Sequence, residues 1–328
     1  MKICIVGAGA IGGLFAGWLG SRLPAGEIQL SALARGATLA ALRDNGLQLK
    51  SGAESVRVEL QASDDAAALG PQDLVIVAVK GPALAAVAPA VRSLLAPQTI
   101  VLVAMNGVPW WFFDGLGGEC EGLHLQSVDP GDTIREAIPL QHVVGCVVHA
   151  SSSGDAPGVV RHVTGNGLII GEPRGGESPR VQQLAALLTR AGFAVTASPR
   201  IQRDIWFKLW GNMTMNPVSA LTGATADRVL DDELVRLFIT AVMLEAKEIG
   251  ARIGLPIDQT PAQRHEITRK LGAFKTSMLQ DVEAGRPLEI DALVGAVREI
   301  GRHLALPTPN IDALLGLVRL MARVRGLA

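Results

Sequence analysis

The chain has 328 residues, of which 48% are hydrophobic and 19% are charged, and its formal net charge is −1. That length suits two domains, and that composition excludes a largely disordered chain. A charge this close to zero, with no long basic run, argues against a nucleic-acid-binding surface. The three cysteines are far apart and the six histidines form no ligand-like pair, which predicts a reducing compartment and disfavours a metal site.

Residues 3–20, ICIVGAGAIGGLFAGWLG, carry no charge and reach the length of a minimal membrane span. Many of them are glycine, and each glycine inside a helix costs about 1 kcal/mol relative to alanine. Only Lys2 precedes the stretch as a charge, and no signal-peptide cleavage pattern follows it. We therefore expect a cytoplasmic protein without a membrane anchor.

The N-terminal part of the chain alternates strand-like and helix-like patterns. A buried strand, KICIVG, precedes a helix from about Ala10 to Arg22, and a second strand precedes a short helix that stops at Gly46. LQLKS and SVRVEL predict a small hairpin, and a helix separates two further buried strands. The later predicted strands are 142–151, 158–163, 167–172 and 193–199. This rhythm predicts a Rossmann-type, doubly wound α/β sheet.

From about Ile201 the strand patterns disappear and long amphipathic stretches replace them. The predicted helical stretches are 203–220, 228–254, 259–285 and 289–304. We predict an α/β domain over residues 1–198, followed by an all-α C-terminal domain over residues 199–328.

Gly7, Gly9 and Gly12 form the pattern G-x-G-x-x-G between the first strand and its helix. In such a loop the first glycine turns the chain, the second lets the backbone approach a pyrophosphate, and the third packs the helix on the strand. The phosphates then meet free N–H groups at a helix N-terminus. A glycine-rich turn without a ligand is the alternative. The expected cofactor contacts of the loop are Gly7, Ala8, Gly9, Ala10, Ile11 and Gly12.

The end of the second strand discriminates between NAD and NADP. A carboxylate at this place accepts the ribose hydroxyls of NAD, but this chain carries Arg35 instead. A guanidinium suits the additional phosphate of NADP, whereas a solvated loop arginine is the alternative. We predict a preference for NADPH.

Lys80 and Asn106 follow two of the buried strands. Because ligands bind at the carboxyl ends of strands in open α/β sheets, both residues are candidates for contact with the cofactor. An ordinary strand-terminating lysine and a turn asparagine before Gly107 are the alternatives.

The stretch DIWFKLWGNMTMNP, residues 204–217, places one lysine among aromatic side chains. Residues four apart share a helix face, so Lys208, Asn212 and Asn216 form one polar stripe. The remaining faces are apolar, which predicts a helix buried almost all round whose stripe lines a polar cleft. Burial would lower the pKa of Lys208 toward the range for proton donation. An exposed or snorkelling lysine is the alternative.

A second polar cluster lies in KTSMLQDVEAGRPLEID. Ser277 is predicted on a helix that stops near Gly285, and Glu289 is predicted to open the next helix after a corner. Taken alone, a serine and a glutamate in these positions are commonplace. Pro217, at the end of the stripe, is expected to end or kink its helix.

Several segments carry a resemblance to a known family: IVGAGAIGG, VKGP, NGV, PGVVRHV, GLIIGEP, KLWGNMTMNPVSALTG and SMLQDVEAGRPLEID. Over nearly its whole length the chain resembles the ketopantoate reductase (2-dehydropantoate 2-reductase) family. The last two segments are specific, whereas many dehydrogenases share the glycine loop. The resemblance implies a Rossmann domain and a helical domain with the active site in the cleft between them. It also implies NADPH-dependent reduction of a 2-oxo acid to a 2-hydroxy acid, here 2-dehydropantoate to pantoate in pantothenate and coenzyme A biosynthesis.

The resemblance further implies roles for single residues. Lys208 is similar to the family's general acid, and Glu289 to a glutamate that organises the lysine and the cofactor. Ser277 is similar to a serine that holds the substrate carboxylate. The implied substrate-binding residues are Asn106, Asn212, Asn216 and Ser277. The implied cofactor contacts outside the glycine loop are Arg35, Lys80, Asn106, Glu289 and the backbone of a loop at Ala150 and Ser151.

The chain also departs from the family pattern. Met105 replaces a frequent glutamine, and Trp110–Phe113 are expected in a loop beside the proposed site. Phe274 and Ala226 stand where the family has asparagines, so a bulkier or less polar 2-oxo acid is an alternative substrate. Two further alternatives are another dehydrogenase of the same architecture and a non-catalytic NADPH sensor. The apolar helices permit a homodimer.

Overall fold

The computed structural model describes all 328 residues and divides them into two compact units. The first unit comprises Met1–Met105 and Asp132–Ile201, and the second comprises Asn106–Gly131 and Gln202–Ala328. The division after Ile201 lies close to the boundary that the sequence predicts after residue 198. The sequence does not predict that Asn106–Gly131 belongs to the second unit.

One ten-stranded sheet forms the centre of the first unit. Its strands are β1 (Lys2–Val6), β2 (Gln29–Leu33), β3 (Leu47–Ser51), β4 (Glu54–Val58), β5 (Gln61–Ser63), β6 (Leu74–Val77), β7 (Ile100–Val103), β8 (Val143–Ala156), β9 (Val159–Gly171) and β10 (Ala194–Ala197). The order is β4-β3-β9-β8-β7-β6-β1-β2-β5, and β10 pairs with β9. The strands from β8 to β5 in this order are all parallel to their neighbours, which confirms the predicted Rossmann-type sheet.

The predicted hairpin of β3 and β4 is present, and β8 and β9 form a second antiparallel pair. These last two strands are longer than the sequence predicts. The expected loop at Ala150 and Ser151 is wrong, because both residues lie inside β8. The pairing of β8 with β9 does not end there but shifts register between His149 and Ser152, as at a β-bulge.

The helices of the first unit are α1 (Ala10–Arg22), α2 (Gly36–Asn45), α3 (Ala66–Leu69), α4 (Gly81–Arg92), α5 (Thr133–Ala137) and α6 (Pro179–Arg190). Helix α1 lies at the centre of the core, where Phe15 and Trp18 pack on Phe193 at centroid distances of 4.8 and 4.5 Å. Its glycines serve close packing, since an added Cβ at Gly13 or Gly17 would overlap a side chain of the sheet. No helix of the protein is both long and apolar enough to cross a membrane.

The second unit is helical. Its helices are α7 (Ile201–Thr222), α8 (Ala226–Asp231), α9 (Glu233–Arg252), α10 (Pro261–Arg269), α11 (Ser277–Glu283), a π-helical turn (Asp291–Gly295) that continues into α12 (Ala296–His303), and α13 (Pro309–Val324). Two predicted long helices are each divided, because Asp232 and Thr276 accept hydrogen bonds from backbone N–H groups and start new helices. Helix α7 does not end at Pro217 but continues to Thr222.

The four aromatic residues Trp110–Phe113 are core residues of the second unit. Each of them is at most 3% exposed, and Phe112 packs against Trp206 at 6.1 Å between ring centroids. They lie in a turn segment between β7 and α5, as the sequence predicts for a loop, but their side chains are buried. Their burial instead anchors the segment Asn106–Gly131 to the helices of its unit.

Candidate active site

The glycine loop of the first unit has the geometry of a dinucleotide cradle. Gly7 has φ +89°, and a Cβ there would lie 2.6 Å from a methyl carbon of Val79 and 3.1 Å from its nitrogen. A Cβ on Gly12 would overlap the carbonyl oxygen of Gly7, so the third glycine brings α1 against the loop. The space around Gly9 is open to 4 Å. The loop is thus closed on the protein side and accessible at its middle glycine.

The first turn of α1 offers hydrogen-bond donors to an anion. Gly9 precedes the helix, no side chain caps it, and no acidic residue lies in the first turn. The leading N–H groups of a helix have no partner within it and favour negative charge. These observations fit the pyrophosphate of a dinucleotide, held by the loop from Gly7 to Gly12.

The other predicted cofactor contacts of the first unit lie near strand ends or inside a strand. Arg35 is exposed two residues after β2, and the last residue of that strand, Leu33, accepts a hydrogen bond of 3.2 Å from the Gly7 N–H. Lys80 is half-buried and stands at the start of α4, directly after the Val79 that contacts the loop. Ser151 lies in β8 opposite Thr164. The glycine loop and the end of β2 are therefore adjacent.

In the second unit, α9 anchors the helix that carries the polar stripe. The indole N–H of Trp210 donates to the Met243 carbonyl at 2.8 Å, and Trp206 packs so closely on Gly250 that an added Cβ would overlap its indole. Both tryptophans are 1% exposed. Because Lys208 lies midway between them in sequence, its side chain leaves α7 on the opposite face. The two tryptophans that flank Lys208 in the sequence therefore pack α7 against α9 and do not surround the lysine side chain.

Lys208 and Asn106 meet across 102 residues of sequence. The Nζ of Lys208 donates a hydrogen bond of 2.8 Å to Oδ1 of Asn106, and both side chains are half-buried. This bond orients the ammonium group and assigns the amide oxygen of Asn106 as an acceptor. The structure therefore brings together two residues that the sequence predicts for one site.

The backbone around Asn106 is held firmly by the π-helical turn. Gly107 has φ +84°, and a Cβ there would lie 2.6 Å from the Ala292 carbonyl oxygen. The Val108 N–H donates to the same oxygen at 2.9 Å. Irregular helical turns of this kind are frequent at functional sites. No residue pattern in the sequence marks this π-helical turn.

The stripe of α7 continues at Asn212 and Asn216. Nδ2 of Asn216 donates to the Ser277 hydroxyl at 3.4 Å, and Ser277 is exposed at the first position of α11. Asn212 is half-buried one turn after Lys208. Helix α11 ends at Glu283, close to the predicted stop, so a hydroxyl and two amides extend the polar surface from the lysine.

Glu289 is half-buried and immediately precedes the helical segment that begins at Ile290, so it does not lie in the first helical turn. The corner before it is braced by Arg286, whose Nε donates to the buried Asp281 at 3.0 Å. Glu289 is three residues from Ala292, the residue that contacts the Asn106 turn. Glu289 and Asn106 are thus brought to the same part of the second unit.

The first unit thus contains a glycine-rich loop at the N-terminus of a helix, and the second contains a cluster of a lysine, asparagines and a serine. A cationic donor held beside amides and a hydroxyl can bind the carbonyl and carboxylate oxygens of a small acid and donate a proton.

Comparison with known proteins gives the same picture. A family profile described as "Ketopantoate reductase PanE/ApbA" matches residues 3–175, and one described as "Ketopantoate reductase PanE/ApbA C terminal" matches residues 200–322. The chain is 45% identical over 326 residues to the 2-dehydropantoate 2-reductase of Mesorhizobium japonicum, with 99% of each protein covered.

Two crystal structures share the fold over the full chain. That of a candidate ketopantoate reductase from Ralstonia solanacearum MolK2 is 59% identical with a TM-score of 0.94, covering 100% of this chain and 99% of that one. That of a PanE/ApbA family ketopantoate reductase from Ralstonia eutropha JMP134 is 27% identical with a TM-score of 0.84, covering 99% and 100%. The chain therefore belongs to the ketopantoate reductase family and is a pyridine-nucleotide oxidoreductase.

Proposed function

We propose that this protein reduces a 2-oxo acid to the 2-hydroxy acid with NADPH, and that the acid is 2-dehydropantoate, which yields pantoate. The observation that carries the proposal is the hydrogen bond of 2.8 Å between Lys208 and Asn106. Lys208 lies on the same face of α7 as Asn212 and Asn216. The 45% identical relative from Mesorhizobium japonicum bears the corresponding name.

In this proposal Lys208 acts as the general acid. Negative charge grows on the carbonyl oxygen as the carbonyl carbon is reduced, and an ammonium group stabilises that charge and donates the proton. Asn106 holds the ammonium in place, and Glu289 helps to organise the same region. Asn212, Asn216 and Ser277 bind the other oxygens of the substrate and hold its carbonyl at Lys208, which lowers the entropic cost of the reaction.

The first unit supplies the binding residues for the cofactor. The loop from Gly7 to Gly12 would hold the pyrophosphate, and Arg35 would bind the 2′-phosphate that distinguishes NADPH from NADH. Lys80, Ser151 and, from the second unit, Asn106 and Glu289 would complete its contacts. When bound, the reduced nicotinamide supplies the hydride. A cytoplasmic location and a homodimer remain predictions.

A second candidate substrate is a bulkier or less polar 2-oxo acid. Phe274 is 38% exposed three residues before Ser277, and its carbonyl accepts a hydrogen bond of 2.9 Å from the N–H of the buried Ala226. These adjacent positions carry an aromatic ring and a methyl group instead of side-chain amides. An apolar substituent of the 2-oxo acid would gain binding free energy by packing on the Phe274 ring. A hydroxyl substituent would not be hydrogen-bonded by the side chains of Phe274 and Ala226.

A panel of 2-oxo acids tests both candidates. The loss of NADPH absorbance would be followed with 2-dehydropantoate, 2-oxobutanoate and phenylpyruvate, and then repeated with NADH. The highest kcat/KM for 2-dehydropantoate with NADPH supports the first candidate, and the highest value for phenylpyruvate supports the second. In the latter case Phe274→Asn should lower the preference for phenylpyruvate. Tight NADPH binding without turnover of any acid contradicts both.

A further inference from the structure

Arg264 on α10 is a half-buried cation that the proposed reaction does not use. Its guanidinium carbon lies 5.1 Å from the centroid of the Phe207 ring. Its Nε is buried without a hydrogen-bond partner. Partial burial lowers the pKa of the guanidinium. By contrast, Arg269 on the same helix pairs with Asp231 at 2.6 Å.

The chain makes room for this guanidinium on α7. A Cβ at Gly211 would lie 2.8 Å from Nη2 of Arg264 and 2.9 Å from its Nε. Glycine weakens a helix interior relative to alanine, so alanine would be the better residue here for the helix alone. The glycine and the aromatic ring of Phe207 together form a seat for a cation.

The seat lies beside the general acid of the proposed reaction. Gly211 follows Lys208 by three residues on α7, and residues three apart on a helix are neighbours, with about 5–6 Å between their Cβ positions. A buried Nε without a hydrogen-bond partner is costly, and an anion bound at the guanidinium would offset that cost. In a 2-oxo acid the carboxylate is bonded directly to the carbonyl carbon, so an anion next to Lys208 is part of the substrate itself.

We propose that Arg264 is a substrate-binding residue that receives the carboxylate of the 2-oxo acid, an inference that rests on the proposed function. A hydroxyl such as that of Ser277 hydrogen-bonds a carboxylate but does not neutralise it. The planar guanidinium offers two parallel N–H donors as well as the charge. Arg264 thereby selects acids over neutral carbonyl compounds and places the carbonyl at Lys208.

Kinetics of Arg264→Gln with an acid and its methyl ester test the proposal. For the 2-oxo acid that the wild type reduces best, we expect KM to rise by about tenfold or more, with kcat changed much less. The KM of the ester, which lacks the charge, should stay unchanged. An unchanged KM for the acid, or equal increases for acid and ester, would show that Arg264 only packs on Phe207.

Gly211→Ala provides a second variant that retains the arginine. Its new methyl group should displace the flexible guanidinium without unfolding α7, because alanine favours a helix. We expect the same selective rise of KM for the acid, and no rise contradicts the proposed seat. Arg252→Gln is the matched control, since it removes a half-exposed arginine that pairs with Glu119 in the same unit. This control should leave both KM values unchanged.

Calorimetric titration with 2-dehydropantoate separates this inference from the proposed function, because it needs no turnover. Binding to the wild type that weakens about tenfold in Arg264→Gln supports the carboxylate site. Equal binding to both proteins, or no binding to the wild type, overturns it. A wild type that binds the acid at Arg264 but never reduces it contradicts the proposed function alone.

Discussion

The glycine loop allows stability and cofactor binding to be separated by two alanine substitutions. Gly7→Ala forces a side chain into φ +89° and places its Cβ 2.6 Å from a Val79 methyl, 3.1 Å from the Val79 nitrogen and 3.2 Å from the Ala78 carbonyl carbon. Gly9 has a φ of −79°, and a Cβ added there by Gly9→Ala would have no atom within 4 Å. Only the first change disturbs the folded protein, while the second adds a methyl group where the pyrophosphate would approach.

The magnitudes follow from these contacts. A side chain at positive φ costs about 1–3 kcal/mol. The tight backbone contacts add about 1 kcal/mol. Reduced freedom of the unfolded chain returns about 0.4–1 kcal/mol. Gly7→Ala should therefore lose about 1–4 kcal/mol of unfolding free energy, whereas Gly9→Ala should stay within about 0.5 kcal/mol of the wild type.

Two measurements check this pair of variants. Urea unfolding followed by far-ultraviolet circular dichroism gives the change in midpoint, and titration with NADPH gives the affinity. Gly9→Ala should unfold like the wild type but bind NADPH at least about tenfold more weakly. A Gly7→Ala protein of wild-type stability, or a Gly9→Ala protein of wild-type affinity for NADPH, would contradict the roles assigned to these two glycines.

Two further predictions concern single charges. Arg35→Glu should weaken NADPH binding at least about tenfold and leave NADH binding nearly unchanged, because it replaces the partner of the 2′-phosphate with a like charge; an unchanged ratio of the two affinities contradicts it. Burial and then the charges of Arg236 and Arg269 lower the pKa of His265, although Glu266 opposes them. Below the ordinary histidine pKa of about 6.5, the imidazole of the unfolded chain therefore binds a proton that the folded ring does not. The free energy of unfolding consequently decreases as the pH is lowered through that range. Urea midpoints should drop less between about pH 7.5 and about pH 5.5 in His265→Gln than in the wild type, and parallel curves would show that another group controls the pH dependence.

The sequence predicts those features that local patterns determine. Helix α1 runs from Ala10 to Arg22 as predicted, because the glycine loop fixes its start and its apolar residues are continuous. The polar stripe of α7 follows from its four-residue spacing alone. The break at Asp232 is less apparent, since a helix of the same amphipathic period resumes directly after it.

Features that depend on distant segments could not be predicted. The bond between Lys208 and Asn106 joins residues 102 apart, and it requires Asn106–Gly131 to pack with the second unit. An aromatic run such as Trp110–Phe113 is equally typical of a substrate pocket and of a core, and only its burial decides between them. The sequence around Gly211 does not indicate why a glycine is present there. The group that a side chain at this position would approach is the guanidinium of Arg264, which lies on another helix.

The most direct test of the proposed reaction is the kcat/KM of Lys208→Ala with the best 2-oxo acid and NADPH. General-acid and charge stabilisation together predict a fall of about 10²–10⁴, while the affinity for NADPH stays unchanged. Lys247→Ala is the matched control, since its Nζ donates to the Gln259 carbonyl at 3.0 Å in the same unit and has no role in the proposed reaction. Loss in Lys208→Ala alone is the predicted result, and a Lys208→Ala enzyme as active as the control contradicts the assignment of the acid.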